Sequence, residues 1–439
     1  MSEARLKPNR FFACFFYMVQ PIRNQNRGEM MMKMKKKMYT KAALVIVTGM
    51  LAASNIWPSA AHVKAAPSAA FKDTIPAWAE DSVKTVVDAG IMNGYPDGTF
   101  KPNDPITRAE LLKVMALTFY LTVAPPSAGQ LWYKPYEAAL TNAKIYMSGD
   151  WPTDLTKPAT RNEMAITAVR GSQAAYRGQR LTAAEFMFRA VNAGLLSRNG
   201  TSAEAIDTAG TTTRAQVAVL VTRLLKLQDG ETLPVDQGAS TAAEVAWHHH
   251  NMITMFGQDD LVSLPYKVNV NSKFDVSIEQ MLVLDPGDSQ GYYSQYLKDT
   301  EDFFLGGQYA QPNAGYLFAF KLKGISKVAS NEYVDVLGVF YMFVESLQQG
   351  TFYPSDKYMF NDGKVIDRGG LYRNSTNFKL SKVGAEGYDY YYVFVDKNFI
   401  QSQIKKYGAL PIHMERFAKQ MDKNTQFYLT GVKDREWQQ

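Results

Sequence analysis

Residues 105–117 of this 439-residue chain read "PITRAELLKVMAL", which has the signature of a helix start. Thr107 is a favourable N-cap residue, and Glu110 stands three positions later, where a capping box requires glutamate or glutamine. Arg108 does not fit this pattern, because the positive end of the helix dipole disfavours a cation at the first helical position. The stretch therefore predicts a capped helix from residue 108 and leaves the purpose of the arginine open.

The same pattern recurs twice, at a constant spacing of 53 residues. "TRAE" begins at Thr107, "TRNE" at Thr160 and "TRAQ" at Thr213. Each threonine has a capping-box partner three residues later, and these partners are Glu110, Glu163 and Gln216. Two apolar positions repeat behind the motifs, first as Leu111, Met164 and Val217 and then as Met115, Ala168 and Val221. The period predicts three related units, each with an amphipathic helix that buries the same face.

A second helical segment precedes the motif in each unit, and we predict these segments over 76–92, 133–146 and 182–196. The candidate buried residues of the first segment are Trp78, Val83, Val86 and Val87. Gly90 and Gly194 are suited to end their helices in the left-handed conformation, whereas the second unit has Lys144 at this place. We place the helix-loop-helix units at residues 71–123, 124–178 and 179–228.

The first unit resembles an S-layer homology (SLH) module. The matching features are the Phe71-x-Asp73 opening, Trp78-Ala79, Gly90-Ile91, the Gly94–Phe100 loop and Ile106–Glu110. The resemblance extends over about residues 71–228, although the loop of the second unit is degenerate and that of the third is different. It implies an all-α, pseudo-threefold domain that binds cell-wall polysaccharide non-covalently, typically a secondary wall polymer carrying pyruvate ketals.

The resemblance also implies that the motif arginines, Arg108, Arg161 and Arg214, face the polymer. Their chemistry is suitable, because a guanidinium beside a helix N-terminus can hold a carboxylate. Further candidate contacts are Trp78 and Tyr95, since an aromatic ring can stack on a sugar, and Gly94, which adjoins Tyr95. The alternative is structural, namely a solvated arginine beside each capping box and a Trp78 that belongs to the core.

Residues 1–65 resemble a leader and a secretory signal peptide rather than part of the fold. A basic segment over 33–41 is followed by an apolar segment over 42–57, and small residues before position 66 predict cleavage after about Ala65. We expect the true start within Met30–Met38. Cys14, the single cysteine of the chain, lies in this region, so the expected mature protein has none. Export without disulfides favours the surface of a Gram-positive bacterium.

Removal of this segment reverses the net charge of the chain. The whole sequence has a formal net charge of +6, but residues 1–65 contain 11 of its 48 basic and only 2 of its 42 acidic residues. The remainder therefore has a net charge of −3, which gives no support for nucleic-acid binding. No later stretch is long and apolar enough to predict a membrane span.

Beyond residue 228 the pattern changes from helical to β-rich. Residues 229–240 are predicted as a polar linker, and 241–439 as a mainly antiparallel β-sandwich with terminal helices, of which an immunoglobulin-like fold is one form. The predicted strands are 266–270, 274–284, 316–325, 333–346 and 388–399. The predicted helices of this half are 241–256, 398–408 and 414–421.

No catalytic motif, metal site or cofactor site is predicted in this half. "WHHHN" at 247–251 needs a further ligand to hold a metal, and His413 is the other histidine of the expected mature chain. The sequence favours a wall-anchored surface protein that displays a β domain for binding or structure, with an unidentified partner. Two alternatives stay open: a wall-anchored enzyme acting on polysaccharide, and a subunit of an S-layer lattice.

Overall fold

A computed structural model describes residues 71–198, 206, 208–271, 274–285, 287–288, 315–327, 341–343, 357–359, 365–367, 386–416 and 425–431. The predicted leader and signal peptide, residues 1–65, lie outside the described residues. Within the described residues, a helical region is followed by a β region. This order confirms the prediction of a helical part and a β-rich part at its coarse level.

The helical region begins with a 3-10 turn, Ala77–Ala79. The helices described after it are α1 (Glu80–Asp88), α2 (Arg108–Thr118), α3 (Lys134–Asn142), α4 (Arg161–Ser172), α5 (Ala183–Asn192), α6 (Arg214–Gln228), α7 (Gln237–His248) and α8 (Met252–Phe256). The helices α2, α4 and α6 each begin at the arginine of a Thr-Arg motif. Their repeating apolar positions are fully buried in one core, which contains Leu111, Met164, Val217, Met115, Ala168 and Val221.

Trp78 is not a core residue, which corrects one expectation from the sequence. Its side chain is 60% exposed, whereas Val83, Val86 and Val87 are buried as predicted. The reason is that α1 begins only at Glu80. Trp78 lies in the preceding 3-10 turn, off the 3.6-residue face of α1, and the small Ala79 faces the core instead.

The three upstream helices end with the same left-handed backbone conformation, even where glycine is missing. Gly90 and Gly194 have φ values of 67° and 70°, and Lys144 has a φ of 57°. A residue with a Cβ is strained there, whereas glycine is not. The second unit therefore retains the geometry of the helix end at an energetic cost.

Lys144→Gly is expected to stabilise the protein by about 1 kcal/mol, because it relieves this strain at an exposed position. The measurement is the free energy of unfolding from urea denaturation of the two proteins. The matched control is the reverse change at an equivalent position, Gly90→Lys, which is expected to destabilise by a similar amount. Equal stability of the Lys144→Gly protein and its parent would contradict the strain argument.

Residues 229–240 differ from the polar spacer that the sequence predicts. Leu233 is buried against Gly194, and α7 begins at Gln237, within the predicted linker. The Asp236 carboxylate caps α7 by accepting from the backbone N–H of Ala239. Helix α7 then packs on α5, so this segment is part of the helical core.

The β region is built on an antiparallel sheet with the strand order β1-β2-β3-β7. These strands are β1 (Tyr266–Asn271), β2 (Phe274–Leu284), β3 (Gly315–Ser326) and β7 (Glu386–Asp396). The register pairs Leu284 with Leu317, and the alternation along β2 buries both faces of the sheet. Leu282 and Leu284 join the core of the helices, whereas Met281 and Val283 join a second core.

Two smaller sheets complete the described β structure. The strands β4 (Tyr341–Phe343), β8 (His413–Arg416) and β9 (Thr425–Tyr428) form one antiparallel sheet, and β5 (Lys357–Met359) pairs with β6 (Val365–Asp367). Most of the predicted strand 333–346 lies outside the described residues. The β-sandwich, with its immunoglobulin-like form, stays a prediction.

One helix of the β region agrees with the sequence and one does not. Helix α9, Lys397–Tyr407, covers the second core with Ile400 and corresponds to the predicted helix over 398–408. The predicted helix over 414–421 is wrong in its described part, because residues 413–416 form β8. The backbone of β8 pairs on both sides, with β4 and with β9, and this pairing overrides the local helical pattern.

Candidate functional site

The three Thr-Arg motifs meet in a closed ring of backbone hydrogen bonds. The N–H of Ile106 donates to the carbonyl of Thr212 (3.1 Å), that of Ala159 to Ile106 (2.8 Å), and that of Thr212 to Ala159 (2.9 Å). These residues are 53 positions apart, and each directly precedes the capping threonine of its motif. The sequence period therefore corresponds to a rotation around a common axis.

Each helix of the ring has a complete capping box. The Thr Oγ1 accepts from the backbone N–H of the third helical residue, whose side chain in turn accepts from the threonine N–H. The residues in these boxes are Thr107 with Glu110, Thr160 with Glu163, and Thr213 with Gln216. The caps fix the start of each helix, and hence the position of each arginine, within the ring.

The first two N–H groups of each motif helix are also used inside the protein. Arg108 N–H donates to the carbonyl of Lys157 (3.0 Å), and Ala109 N–H to that of Leu155 (2.9 Å). The corresponding donors in α4 and α6 bind loop carbonyls in the same way, namely those of Gly210, Thr208, Asp104 and Pro102. These helix N–H groups are therefore satisfied within the protein and are not available to an external anion, so the guanidinium groups are the cationic groups left for a ligand.

Each motif arginine consequently lies against the loop of the next unit around the ring. We call these contacts the Arg108 junction (Arg108 with the loop of the second unit), the Arg161 junction (Arg161 with that of the third) and the Arg214 junction (Arg214 with that of the first). All three arginine residues are more than 90% buried. The guanidinium groups are therefore not solvated, and their internal partners decide how much positive charge remains for a ligand.

At the Arg214 junction, the guanidinium is held by carbonyls and aromatic rings. Its Nε donates to the carbonyl of Phe100 (2.8 Å) and its Nη2 to that of Asn93 (2.7 Å). Its carbon atom lies 4.8 Å from the ring centroid of Tyr95. The ammonium of Lys101 lies over the same ring, at 4.4 Å. Two cations thus lie over the ring of one half-buried tyrosine, and the Lys101 ammonium also lies 3.7 Å from Asp97 Oδ2.

Asp73 and Asp97 shape the loop of the Arg214 junction. The Asp73 carboxylate accepts from the backbone N–H groups of Phe100 (2.8 Å) and Lys101 (2.7 Å). Asp97 accepts from both the hydroxyl and the N–H of Thr99, and these hydrogen bonds hold the pKa of its carboxyl below its ordinary value. The loop is therefore a fixed structure that sets the position of the Tyr95 ring.

The Arg161 junction has the same pair of backbone contacts but a different loop. Arg161 Nε donates to the carbonyl of Ile206 (3.0 Å), and its Nη2 to that of Ser197 (2.8 Å). Ile206 lies 106 residues after Phe100, which is two periods, so the Nε acceptors are equivalent. Residues 199–205 of this loop lie outside the described residues.

The Arg108 junction departs from this arrangement, because a carboxylate replaces the backbone carbonyl. Arg108 Nε donates to Glu163 Oε1 at 2.8 Å, and both side chains are at least 90% buried. Its Nη1 makes a longer contact of 3.4 Å with the carbonyl of Asp154. The degenerate loop of the second unit thus coincides with a different electrostatic environment, since the positive charge is neutralised internally.

The other three residues predicted to contact the polymer, Trp78, Gly94 and Tyr95, have different positions in the structure. Tyr95 contacts Arg214, a residue of the third unit, and not the Arg108 of its own unit. Gly94 has a packing role, because a Cβ at this position would lie 2.3 Å from Phe71 and 2.9 Å from the carbonyl of Thr99. Trp78 is exposed in the turn before α1 and contacts none of the three arginines in a ring interaction that the described residues show.

Three residues of the Arg214 junction were not predicted from the sequence: Asn93, Phe100 and Lys101. Phe100 and Asn93, which accept hydrogen bonds from Arg214, lie 114 and 121 residues before it in the sequence. Local patterns do not report contacts over such distances. The one available signal is the constant period, because a threefold ring places each motif beside the loop of the next unit and the third motif beside the first loop.

The histidines of the WHHHN segment contact each other and a buried glutamate. The rings of His248 and His250 are parallel with centroids 5.0 Å apart, and burial, with His250 nearby, lowers the pKa of His248. His250 Nδ1 lies 3.1 Å from the fully buried Glu244. Across the part of the chain that the structure describes, no three histidine, cysteine or acidic side chains are grouped so as to hold a metal ion.

Comparison with known proteins identifies the first unit. The family model of the S-layer homology domain matches residues 70–112, which include the whole loop of the Arg214 junction and the first Thr-Arg motif. The chain carries an S-layer homology domain. Domains of this family bind cell-wall polymers in general, and within the described residues no helix has the length and hydropathy needed to cross a membrane.

Curated relatives share this S-layer homology region. An S-layer protein of Bacillus licheniformis is 35% identical over 124 residues, which are 26% of this chain and 13% of the relative. S-layer protein EA1 of Bacillus anthracis is 33% identical over 124 residues, 26% of this chain and 14% of the relative. An uncharacterized cell wall amidase of Bacillus anthracis is 35% identical over 102 residues, 22% of this chain and 19% of the relative.

The chain thus spans less than a fifth of the length of each of these relatives. The S-layer homology domain and the Bacillus S-layer relatives identify a secreted protein of the cell wall or S-layer. These similarities indicate cell-wall binding and a location at the cell surface.

Proposed function

We propose that residues 71–228 form three SLH-type units that anchor the protein non-covalently to an anionic secondary cell-wall polysaccharide carrying pyruvate ketals. The observation that carries this proposal is the closed ring of Ile106, Ala159 and Thr212, which gives the three motifs equivalent positions although the family model matches only the first unit. Equivalent positions favour one anchoring region built from three related units rather than three unrelated helix starts.

The chemistry of the junctions supports an acidic ligand. A buried guanidinium is stable only with hydrogen-bond acceptors or a counter-charge, and it can bind a carboxylate in a bidentate manner. Beside it, the Tyr95 ring holds the guanidinium in place, and Lys101 adds a second cation over the same ring. An acidic saccharide supplies an anion for both cations.

For the β region we propose a displayed domain with a binding or structural role and no enzymatic activity. No catalytic constellation stands out among the described residues of this half, but the relative that is named a cell wall amidase keeps a wall-acting enzyme as the second candidate. The names of the other relatives favour a lattice subunit as a third. Release of soluble fragments from purified walls would indicate an enzyme, and ordered two-dimensional arrays in electron micrographs would indicate a lattice subunit.

Wall anchoring is tested by sedimentation of the chain without residues 1–65 together with purified Gram-positive walls. We expect most of the protein to sediment with intact walls, and little with walls from which the secondary polymer has been extracted. Walls that retain the polymer but have lost their pyruvate ketals through mild acid are expected to bind weakly. Equal binding to intact and extracted walls would contradict the proposed function.

A further inference from the structure

We propose that Glu163 acts as an internal stand-in for the acidic ligand and closes the Arg108 junction, whereas the Arg214 junction is open to a carboxylate on a wall sugar. This inference rests on the proposed function, because it assigns that function to particular junctions. It concerns the Arg108 and Arg214 junctions, whose loops lie entirely within the described residues.

The first argument is the balance of buried charge. Arg108 is paired with Glu163 at 2.8 Å, and Arg170, another buried arginine, is paired with Asp150 at 2.5 Å. Arg214 is only 6% exposed, yet no carboxylate lies within 4 Å of it among the described residues. A buried cation without a counter-charge carries a large desolvation cost, which a bound anion would offset.

The second argument is the pseudosymmetry of the acidic positions. Glu163 stands 55 residues after Arg108, and Glu110 is the equivalent position of the unit that faces Arg214. Glu163 divides its oxygens, since Oε2 caps Thr160 and Oε1 accepts from Arg108. Glu110 instead directs Oε2 to both the N–H and the hydroxyl of Thr107, and forms no ion pair with Arg214. The same residue type thus pairs with the arginine at one junction and not at the other, where the loop carboxylates Asp73 and Asp97 bind backbone groups, Thr99 and Lys101 instead of Arg214.

The third argument concerns the class of ligand. Because Arg108 donates to a carboxylate, the structure itself shows which class of acceptor an arginine at this position can bind. At the Arg214 junction, the two backbone carbonyls occupy Nε and one proton of Nη2, so the Nη1 protons remain for a carboxylate. The proposed function supplies the carrier of this carboxylate, which is a sugar of the wall polymer.

The chain supplies a conservative variant that opens the closed junction. Gln216 forms a complete capping box in α6, so Glu163→Gln is expected to retain the cap of α4 while it removes the internal charge. Tyr95→Ala and Lys101→Gln weaken the open junction without altering any ion pair of Arg108. Lys157→Gln is the matched control for Lys101→Gln, because it removes an exposed lysine from the loop of the Arg108 junction.

The experiment is isothermal titration of the chain without residues 1–65 with a monosaccharide that carries a pyruvate ketal. We expect Glu163→Gln to increase the number of bound probe molecules by one. Tyr95→Ala and Lys101→Gln are expected to lower the affinity of the parent protein at least tenfold or remove one site, and Lys157→Gln to change neither. The same sugar without the ketal, and the sugar bearing a phosphate, are expected to bind at least tenfold more weakly.

Two outcomes overturn the inference, and neither is the outcome that overturns the proposed function. An unchanged number of sites in a Glu163→Gln protein with an unaltered melting temperature would show that Glu163 does not close its junction. Unchanged binding in Tyr95→Ala and Lys101→Gln would show that the Arg214 junction is not the site. Failure of the proposed function would appear earlier, as a parent protein that does not sediment with purified walls.

Discussion

A fragment that ends at residue 178 is expected to be unfolded in isolation, although it contains the unit that matches the family model. Helix α6, which it lacks, contributes six fully buried side chains to the core: Ala215, Val217, Ala218, Leu220, Val221 and Leu224. Their burial is worth on the order of 10 kcal/mol, which is comparable with the whole stability of a small domain. The fragment also loses two of the three hydrogen bonds of the ring and the contacts of Arg214 with the first loop.

The measurement is far-ultraviolet circular dichroism during thermal unfolding of residues 66–178. A fragment of residues 66–258 is the matched control, because it keeps α1–α8 and the closed ring. We expect cooperative unfolding of the longer fragment and a low, gradually changing helical signal from the shorter one. Native-like helicity with a cooperative transition in residues 66–178 would contradict the view that the three units fold together.

Local patterns in the sequence were sufficient to predict the starts of the motif helices. A capping box needs only four consecutive residues, and its hydrogen bonds are formed within those residues. Thr107 and Glu110 therefore already contain the information for their own geometry. The buried face of α2 follows equally directly, because Leu111 and Met115 lie four residues apart on one side of the helix.

The surroundings of the arginines could not be predicted in this way. Arg214 donates to carbonyls 114 and 121 residues away, and no rule based on neighbouring residues reports such a contact. The loop carbonyls that accept from the first helix N–H groups are equally distant in the sequence, so the pattern Thr-Arg-x-Glu does not report that these groups are already used. The repeat period contained part of the answer, since a closed ring is the simplest arrangement of three identical helix starts.

In the β region, local patterns predicted one strand correctly and failed where the structure depends on distant segments. The alternation of apolar residues predicts β3, whose two faces enter two different cores. Residues 413–416 contradict the helical prediction because pairing with two neighbouring strands depends on distant segments. The burial of Leu233 could not be predicted from its polar neighbours in the sequence, because it depends on the close approach of Gly194.

Asp150→Ala is expected to destabilise the protein by about 3–5 kcal/mol, because it leaves a buried arginine without its counter-charge. Arg170 is 1% exposed, and both of its terminal nitrogens contact the Asp150 carboxylate, at 2.5 and 3.3 Å. The same carboxylate accepts from the backbone N–H of Met147 at 2.6 Å. Asp150 belongs to the loop of the second unit, whose sequence departs from the family pattern, so this ion pair helps to fix the position of that loop.

The measurement is the free energy of unfolding from urea denaturation, with Asp88→Ala as the matched control. Asp88 forms an exposed ion pair with Lys84, and its removal is expected to cost less than about 0.5 kcal/mol. A double variant, Asp150→Leu with Arg170→Met, is expected to be more stable than Asp150→Ala, because it leaves no unpaired charge in the core. Similar decreases in the free energy of unfolding for Asp150→Ala and Asp88→Ala would mean that burial does not determine how much the Asp150–Arg170 pair stabilises the protein.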